Sequence, residues 1–537
     1  MPAHPPDDAI LFDPLPEVPH LSPQRFRELG TRMVHFIADY LESCERFPVQ
    51  SRAEPGDVFN AIPDAPPDNT GDANEWDAIF ADLERTILPG LTHWQHPGWF
   101  AFFPANVSAP AILGEIASAG LGVQGMLWAT SPACTELETR MLDWLCTSCG
   151  LPEHYLSTHT TTGPQGPTGG GGVIHGTASE ATLVAMLAAR ARAWKCLQQG
   201  SNANASNANN PHLVAYCSDQ AHSSVVKAAM IAGLARDAED RTHLRLIETD
   251  ANYALDASKL EQAIGQDLAA GRVPFFVCAT LGTTSSGAFD SLAKIREVCE
   301  RTGFGGGSVR GDRPGWVHVD AAWAGSALVC PEHRGVLEGV ETADSLCFNP
   351  HKWLLTNFDC SLLWTRDRAT LTGALSITPE YLRTRQGSSV IDYRDWQIPL
   401  GRRFRALKLW FVMRHYGLAG LRAHIARGIE LARRLEALIA AEPRLELAAP
   451  RSLALLCVRC APQPGESPDR TDARTRELLD DLNASGKVLL THTTLPSPAG
   501  PRSTIRISIG GVRTGPEHVA ELWRLIRQGL GDAIASA

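Results

Sequence analysis

Between about residues 110 and 365, short apolar runs alternate with segments of helical periodicity. The apolar runs have the length of buried strands, and the segments between them are long enough for helices. Because helices that alternate with strands cross over a sheet, the pattern predicts an α/β fold with a mainly parallel sheet. The predicted strands are HLVAYCS, VPFFVCATLG, GWVHVDAA, ADSLCFN and CSLLWT, at 212–218, 273–282, 315–322, 343–349 and 360–365.

The regions on either side of this alternation have different patterns. Residues 22–46 place apolar side chains at helical spacing, which indicates an amphipathic helix. Residues 410–537 begin with a long helix and continue with three strands and two helices, which predicts a small α+β domain. We therefore expect an N-terminal helical segment (1–108), a large α/β domain (109–409) and a small C-terminal domain (410–537).

Composition excludes several classes of protein. The net charge of −10 and the lack of a basic run argue against a nucleic-acid partner. No apolar stretch of 18 residues and no signal-peptide pattern is present, so we expect a cytoplasmic protein without a membrane span. Two CxxC pairs, Cys146/Cys149 and Cys457/Cys460, lie in apolar runs; buried reduced thiols are expected, with a zinc or redox site as the alternative. No metal is expected.

The segment GTASEATL (176–183) joins a glycine-rich run to a predicted helix. Free N–H groups and the helix dipole at such a start form an anion site, to which Thr177 and Ser179 add hydroxyl donors. A plain helix cap is the alternative. The segment matches neither GxGxxG after a strand nor a Walker loop, so the NAD and ATP fingerprints are missing.

Three further residues stand where predicted strands end or helices begin. Asp320 ends the strand HVD, at the edge where open α/β sheets bind ligands, and the small residues Ala321 and Ala322 beside it leave room for a flat ligand. His222 opens a predicted helix. Lys352, in FNPHKW, follows Asp320 by 32 positions. Taken singly, these residues also fit a helix cap, a structural histidine and a surface lysine.

One cofactor needs all four features together. Pyridoxal 5'-phosphate requires an anion cradle, a lysine for a Schiff base, a carboxylate for its ring nitrogen and a flat group against its ring. Burial beside other cations lowers the pKa of a lysine and makes it a better nucleophile. The sequence therefore predicts that Lys352 binds this cofactor.

At these residues the chain resembles the group II pyridoxal-phosphate decarboxylases, and within them the aromatic L-amino acid decarboxylases. The resemblance runs from about residue 22 to the C-terminus and weakens after 420. It implies fold type I, with a mainly parallel seven-stranded sheet, and a homodimer with active sites at the subunit interface. The similar stretches include SPACTELETRMLDWL (131–145), ATLGTTSSGAFD (279–290), HVDAAWAGSALVCPEHR (318–334), NPHKWLLTNFDCSLLW (349–364) and DYRDWQIPLGRRFRALKLWFVMRHYG (392–417).

The resemblance also implies a role for each site residue. Lys352 would carry the cofactor, Asp320 would pair with its ring nitrogen, and His222 and Ala322 would lie against its two faces. Tyr381, on an expected lid at about 379–391, would donate a proton with His222. The remaining cofactor contacts would be the phosphate ligands Thr177, Ala178 and Ser179, with Asn349 and His351 nearby, and Thr284 at the ring substituents.

The substrate pocket departs from the family pattern at several positions. Ala105 stands where mammalian relatives have a threonine, and Asn106, which follows it, could replace the contact to the substrate carboxylate. Met126 stands where relatives have a phenylalanine contributed by the partner chain. Gly401 stands where plant relatives distinguish indole from phenol substrates, and glycine favours tryptophan without excluding phenylalanine, tyrosine or dihydroxyphenylalanine. The aromatic stretch 93–105 fits a pocket wall or a dimer contact. The expected pocket residues are Trp94, Phe103, Pro104, Ala105, Asn106, Met126 and Gly401.

Three other kinds of protein could be built on this scaffold. Aldehyde synthases of the family lose the loop tyrosine or the stacking histidine, whereas this chain has Tyr381 and His222. A glutamate or sulfinoalanine decarboxylase would want a cation for its second acid, and the aromatic stretch has none. A catalytically inactive binding protein would be expected to lack Lys352 or Asp320. Decarboxylation of an aromatic L-amino acid is therefore the expected function.

Overall fold

The computed structural model describes residues 20–67, 75–163, 166–199, 212–304, 313–377 and 390–531. The chain divides into two compact units, Met1–His93 and Trp94–Ala537. The first unit contains α1 (Pro23–Ser43), α2 (Asp57–Ala61), α3 (Glu75–Asp82) and α4 (Leu88–Gly90). The amphipathic helix predicted at 22–46 is α1, whose N-cap Ser22 accepts a hydrogen bond from the backbone N–H of Arg25. The three-part domain division stays a prediction.

The second unit is built on a seven-stranded sheet. Its strands are β3 (Gly171–His175), β4 (Leu213–Ser218), β5 (Leu244–Ile247), β6 (Val273–Thr280), β7 (Trp316–Asp320), β8 (Ser345–Phe348) and β9 (Ser361–Thr365), after a short hairpin of β1 (Thr160–Gly163) and β2 (Gly166–Gly169). They lie in the order β3-β9-β8-β7-β6-β4-β5, and only β9 is antiparallel to its neighbours. The mainly parallel sheet is confirmed.

Helices cover both faces of this sheet. Alternate strand residues enter two separate apolar cores: Val277 and Leu346 belong to one, and Cys278 and Cys347 to the other. Parallel strands buried on both faces have continuous apolar sequences, which explains why the sequence located β4, β6, β7 and β8. The helices are α5 (Ala109–Leu121), α6 (Pro132–Ser148), α7 (Ala178–Gln199), α8 (Ser224–Ile231), α9 (Ala257–Ala269), α10 (Leu292–Thr302), α11 (Pro350–Trp353) and α12 (Arg368–Leu375).

A second sheet follows the long helix α13 (Arg405–Ala440), which is interrupted at Gly417. Its antiparallel strands lie in the order β10-β11-β13-β12. The predicted α+β character of this region is confirmed, although the sequence missed one of its strands. The elements are β10 (Leu445–Ser452), β11 (Leu455–Cys460), α14 (Pro468–Ala484), β12 (Thr491–Leu495), β13 (Arg502–Ser508) and α15 (Pro516–Gly529).

The described residues contain no helix that is both long and apolar enough to cross a membrane. They also contain no group of three His, Cys, Asp or Glu side chains arranged to hold a metal ion. The cysteines of both CxxC pairs are buried and have free thiols.

Candidate active site

A cavity of about 190 Å³ lies at the carboxyl ends of the central strands. All ten predicted cofactor-binding residues line it, together with Phe103 from the predicted substrate pocket. The sequence did not single out three further lining residues, which are Thr280, Gly282 and Trp323. The ten predicted residues are Thr177, Ala178, Ser179, His222, Thr284, Asp320, Ala322, Asn349, His351 and Lys352.

Lys352 is on the short helix α11, which begins directly after β8 because Pro350 suits the first turn of a helix. Its ammonium lies 5.1 Å from the centre of the Phe103 ring. Burial lowers the pKa of Lys352, although the carboxylate of Asp320 opposes this effect. Among the described residues, the ammonium has neither a salt bridge nor a hydrogen bond, as suits a lysine that must act as a nucleophile.

Asp320 is the last residue of β7 and is almost fully buried. The backbone N–H of Ala322 donates to its Oδ1 at 3.0 Å. The chain turns sharply here, which brings the small side chain of Ala322 to the same cavity. The other carboxylate oxygen, Oδ2, has no hydrogen-bond donor among the described residues and remains available to a ligand.

His222 lies in the turn between β4 and α8. Its Nδ1 accepts a hydrogen bond from the backbone N–H of Ser224 at 3.1 Å. Burial lowers the pKa of His222, so the ring is neutral and carries its proton on Nε2. A flat neutral ring with one N–H donor is suited to lie against an aromatic ligand.

The anion cradle is the start of α7. The N–H groups of Ala178 and Ser179 have no hydrogen-bond partner among the described residues, whereas the N–H of Glu180 donates to the Thr177 hydroxyl at 3.3 Å. The hydroxyls of Thr177 and Ser179 line the cavity beside this helix start. Glu180 turns its carboxylate back to the N–H of Gly176 at 3.2 Å and to His175 at 3.3 Å. This contact fixes the turn and engages a negative charge that would otherwise oppose an anion.

Two further polar side chains, His351 and Asn349, line the cavity. The Nδ1 atom of His351 accepts a hydrogen bond from the N–H of Cys360 at 2.9 Å, and burial lowers the pKa of His351 to about 3. The neutral ring therefore carries its proton on Nε2. The amide Oδ1 of Asn349 is buried without a hydrogen-bond partner among the described residues. A cradle of donors, an uncommitted lysine and a buried carboxylate fit pyridoxal phosphate.

The residues predicted for the substrate pocket do not all converge. Phe103 lines the cavity and stacks on Trp323 at 4.6 Å. Pro104 and Ala105 follow it, and the carbonyl of Ala105 accepts a hydrogen bond from Gln95. The buried amide of Asn106 is already engaged: it donates to the carbonyl of Gly510 at 2.9 Å and accepts from the N–H of Leu355 at 3.3 Å.

Three predicted residues lie away from this cavity. Trp94 is 42% exposed and stacks on Trp99 at 4.1 Å. Gly401 lines a second cavity of about 390 Å³, near the C-terminus of α5. The backbone carbonyl of Met126 accepts a hydrogen bond from the backbone N–H of Arg394 at 3.0 Å. Tyr381 and most of the predicted lid lie outside the described residues.

The sequence also missed a cation from the C-terminal sheet. Arg506 on β13 places its guanidinium 5.0 Å from the centre of the Phe103 ring. It donates to the carbonyls of Ser285 and Phe102, while its Nη2 has no partner among the described residues. Arg506 lies 154 positions from Lys352, and its strand reads as an ordinary core strand.

Comparisons with known proteins agree with this chemistry. Residues 55–461 match the model of the pyridoxal-dependent decarboxylase conserved domain. A phenylacetaldehyde synthase of Arabidopsis thaliana is 45% identical, covering 94% of this chain and 96% of the relative. Tryptophan decarboxylase 2 of Oryza sativa is 42% identical, covering 94% of each.

Solved structures give the same answer. The crystal structure of Oryza sativa TDC with PLP and tryptamine superposes with a TM-score of 0.85 at 38% identity, covering 96% of this chain and 99% of that one. Because the domain match spans most of the chain and the relatives are covered almost completely, the assignment applies to the whole fold. This chain belongs to the pyridoxal-dependent decarboxylase family.

Proposed function

We propose that this protein decarboxylates an aromatic L-amino acid, with pyridoxal phosphate as cofactor, to the arylalkylamine and carbon dioxide. The observation that carries the proposal is one cavity in which Lys352, Asp320 and the anion cradle at Thr177–Ser179 meet. Each of the three has chemistry that this cofactor requires, and they come from three separate segments of the chain.

When bound, the cofactor supplies an electron sink for the pair left behind by carbon dioxide. The residues of the cavity would bind the cofactor and keep its ring protonated. Lys352 would hold the cofactor through its side-chain amine, and its lowered pKa would assist this role. Asp320 would pair with the ring nitrogen and keep it protonated, and His222 would lie against the ring with a proton on Nε2. The α7 N-terminus fixes the phosphate.

Arg506 is proposed as the anchor for the substrate carboxylate. It is a buried cation with an unused N–H group beside Phe103, and an α-carboxylate is the anion common to all amino-acid substrates. Because every amino acid has this group, Arg506 does not select for a side chain. The aromatic preference is supported by the tryptophan decarboxylase relative and by the aromatic wall of Phe103 and Trp323.

The subunit arrangement is part of the proposal. Met126 and Gly401 are away from the cavity of their own chain, and in a homodimer they would complete the substrate pocket of the partner subunit. The exposed aromatic residues Trp94 and Phe102 are compatible with such an interface. A cytoplasmic location stays a prediction.

An aldehyde synthase is the second candidate, because one relative at 45% identity is a phenylacetaldehyde synthase. The two activities differ in what happens at the substrate α-carbon: a proton gives the amine, whereas oxygen gives the aldehyde. His222 is present in the cavity, and Tyr381 is present in the sequence. Both support protonation, and hence the decarboxylase.

Product analysis distinguishes the candidates. The purified holoenzyme is supplied with tryptophan, phenylalanine, tyrosine, dihydroxyphenylalanine or glutamate, and carbon dioxide, amine, aldehyde and oxygen uptake are measured. Stoichiometric carbon dioxide and arylalkylamine without oxygen uptake are expected. Aldehyde, peroxide and ammonia would establish the synthase instead, and turnover of glutamate alone would refute the aromatic pocket.

Tyr381→Phe tests the proton donor directly. We expect amine formation to fall and aldehyde with oxygen uptake to rise, because the α-carbon would lack its proton source. Tyr253→Phe is the matched control, since the Tyr253 hydroxyl donates to the carbonyl of Ala448 away from the cavity. An unchanged amine yield in Tyr381→Phe would exclude this residue as the donor.

A further inference from the structure

We propose that Asp320 is positioned by a one-way chain of hydrogen-bond donors that runs inside the sheet. The chain, hereafter the donor chain, passes from residue to residue between β7 and β8 and ends on Oδ1 of Asp320. Its members, in order, are Trp316, Ser345, His318 and Cys347. The cofactor identity in this inference rests on the proposed function, but the donor chain itself is a property of the protein alone.

Strand register places these side chains together. His318 pairs with Ser345, and Asp320 pairs with Cys347, across the parallel strands β7 and β8. Because strand side chains alternate between the two faces, residues two apart point the same way. All five side chains, Trp316 included, therefore lie on one face of the sheet.

The first two links have the lengths of ordinary hydrogen bonds. Nε1 of Trp316 lies 2.8 Å from Oγ of Ser345, and Oγ of Ser345 lies 2.8 Å from Nδ1 of His318. Indole N–H is a donor only, so the serine oxygen accepts from Trp316. The hydroxyl proton of Ser345 then needs an acceptor, and Nδ1 of His318 is the acceptor that the described residues offer.

The direction of the chain follows from this requirement. Burial lowers the pKa of His318 to about 4, so its ring is neutral at pH 7 and carries one proton. If Nδ1 accepts, that proton is on Nε2. The opposite tautomer would make both Trp316 and His318 donate to Ser345 and would leave a buried hydroxyl proton without an acceptor, which costs free energy.

The last two links pass through sulfur. Nε2 of His318 lies 3.7 Å from Sγ of Cys347, and that Sγ lies 3.9 Å from Oδ1 of Asp320. Burial and the nearby carboxylate raise the pKa of Cys347, so the thiol keeps its proton. Its S–H is thus free to donate to the carboxylate while the sulfur accepts from His318.

The consequence is an asymmetric carboxylate. Oδ1 of Asp320 receives the backbone N–H of Ala322 and the thiol of Cys347, whereas Oδ2 receives no donor among the described residues. The terminal torsion of an aspartate is otherwise broad. Two donors on one oxygen fix the carboxylate plane and leave Oδ2 for the ring nitrogen. Trp316, Ser345, His318 and Cys347 are positioning residues in this scheme, because they act through Asp320.

Substitution of Cys347 in the holoenzyme tests the last link. Cys347→Ala removes the donor, so kcat should fall roughly three- to tenfold, the size of one lost hydrogen bond. Cofactor affinity should change by less than about twofold, because the phosphate and lysine contacts remain. With ¹⁵N-labelled pyridoxal phosphate, the ring-nitrogen resonance should shift. Cys347→Ser retains a donor and should restore both readouts.

Cys278→Ala is the matched control. Cys278 is equally buried, faces the same core and pairs in register with His318, but it makes no hydrogen bond to a described residue. It should leave the ring-nitrogen resonance in place. If Cys347→Ala behaves like Cys278→Ala, the donor chain does not act on Asp320 and the proposal is overturned.

A second measurement needs neither cofactor nor activity. In ¹⁵N-histidine-labelled protein, with His318→Gln for assignment, His318 should appear neutral and protonated on Nε2 throughout the neutral pH range. Protonation on Nδ1 would overturn the donor chain. If His318 has the expected tautomer but no amino acid is decarboxylated, the proposed function fails while the donor chain stands, so the two failures are distinguishable.

Discussion

The cofactor end and the substrate end of this site differ in how the chain builds them. At the cofactor end, ten residues from separate segments meet in one cavity of one chain. At the substrate end, only Phe103 of the seven expected residues lines that cavity, whereas Gly401 lines another. Residues at the ends of sheet strands are held in place by the sheet, whereas a site assembled from loops has no such scaffold and varies more readily.

The difference has a physical cause in the sheet. Parallel strands bring their carboxyl ends to one edge, so residues that follow β6, β7 and β8 meet whatever their separation in sequence. The segment 93–106 has no such constraint: part of it packs in the core, as Phe100 does, and part is exposed, as Trp94 is. The following predictions test whether the two ends are as distinct as this reasoning requires.

The largest effect is expected at the cofactor end. Lys352→Ala should lower kcat by about 10³-fold or more, since no other lysine of the described residues lines the cavity. The long-wavelength absorbance of the lysine-bound cofactor should disappear. Lys294→Ala, an exposed lysine on α10, is the control and should behave as the native protein. Retained absorbance would place the covalent link at another lysine.

Asp320→Asn should have the next largest effect. The substitution preserves shape but removes the charge that keeps the ring nitrogen protonated, so kcat should fall about 10²- to 10³-fold. Cofactor should still bind through Lys352 and the cradle, which equilibrium dialysis would measure. Near-native turnover would refute the role of Asp320, and with it the purpose of the donor chain.

The sequence predicted these two residues because their positions follow from strand ends and from strong local motifs. It located β6, β7 and β8 for the same reason. It missed β5, a four-residue edge strand in which Arg245 interrupts the apolar pattern. It also missed Arg506, because a cation contributed by a second sheet 154 positions away leaves no local signal.

A substitution in the second cavity should have an intermediate effect, on substrate selectivity. A side chain at Gly401 would begin 3.3 Å from Oε1 of Gln124, so Gly401→Ser narrows that cavity. If Gly401 helps to form a substrate pocket, kcat/KM for tryptophan relative to tyrosine should fall about tenfold. Gly335→Ser, where the surroundings are open, is the control. Equal losses for both substrates would exclude a role in selectivity.

The smallest effect on catalysis is expected for Asn106→Ala. This substitution tests whether the Asn106 amide binds substrate or stabilises the fold. Its Oδ1 accepts from Leu355 and lies 3.1 Å from Nε2 of His424, and its amide donates to Gly510. Leaving such buried partners unpaired should cost about 1 to 3 kcal/mol in the free energy of unfolding, measured by denaturant titration.

The KM of Asn106→Ala separates the two roles. With its amide held by three partners from the protein, Asn106 has little capacity left for a substrate carboxylate, so KM should change by less than about twofold. The exposed Asn252→Ala should alter neither stability nor KM. A large rise in KM with native stability would instead show that Asn106 binds the substrate. Its present hydrogen bonds would then have to break when substrate binds.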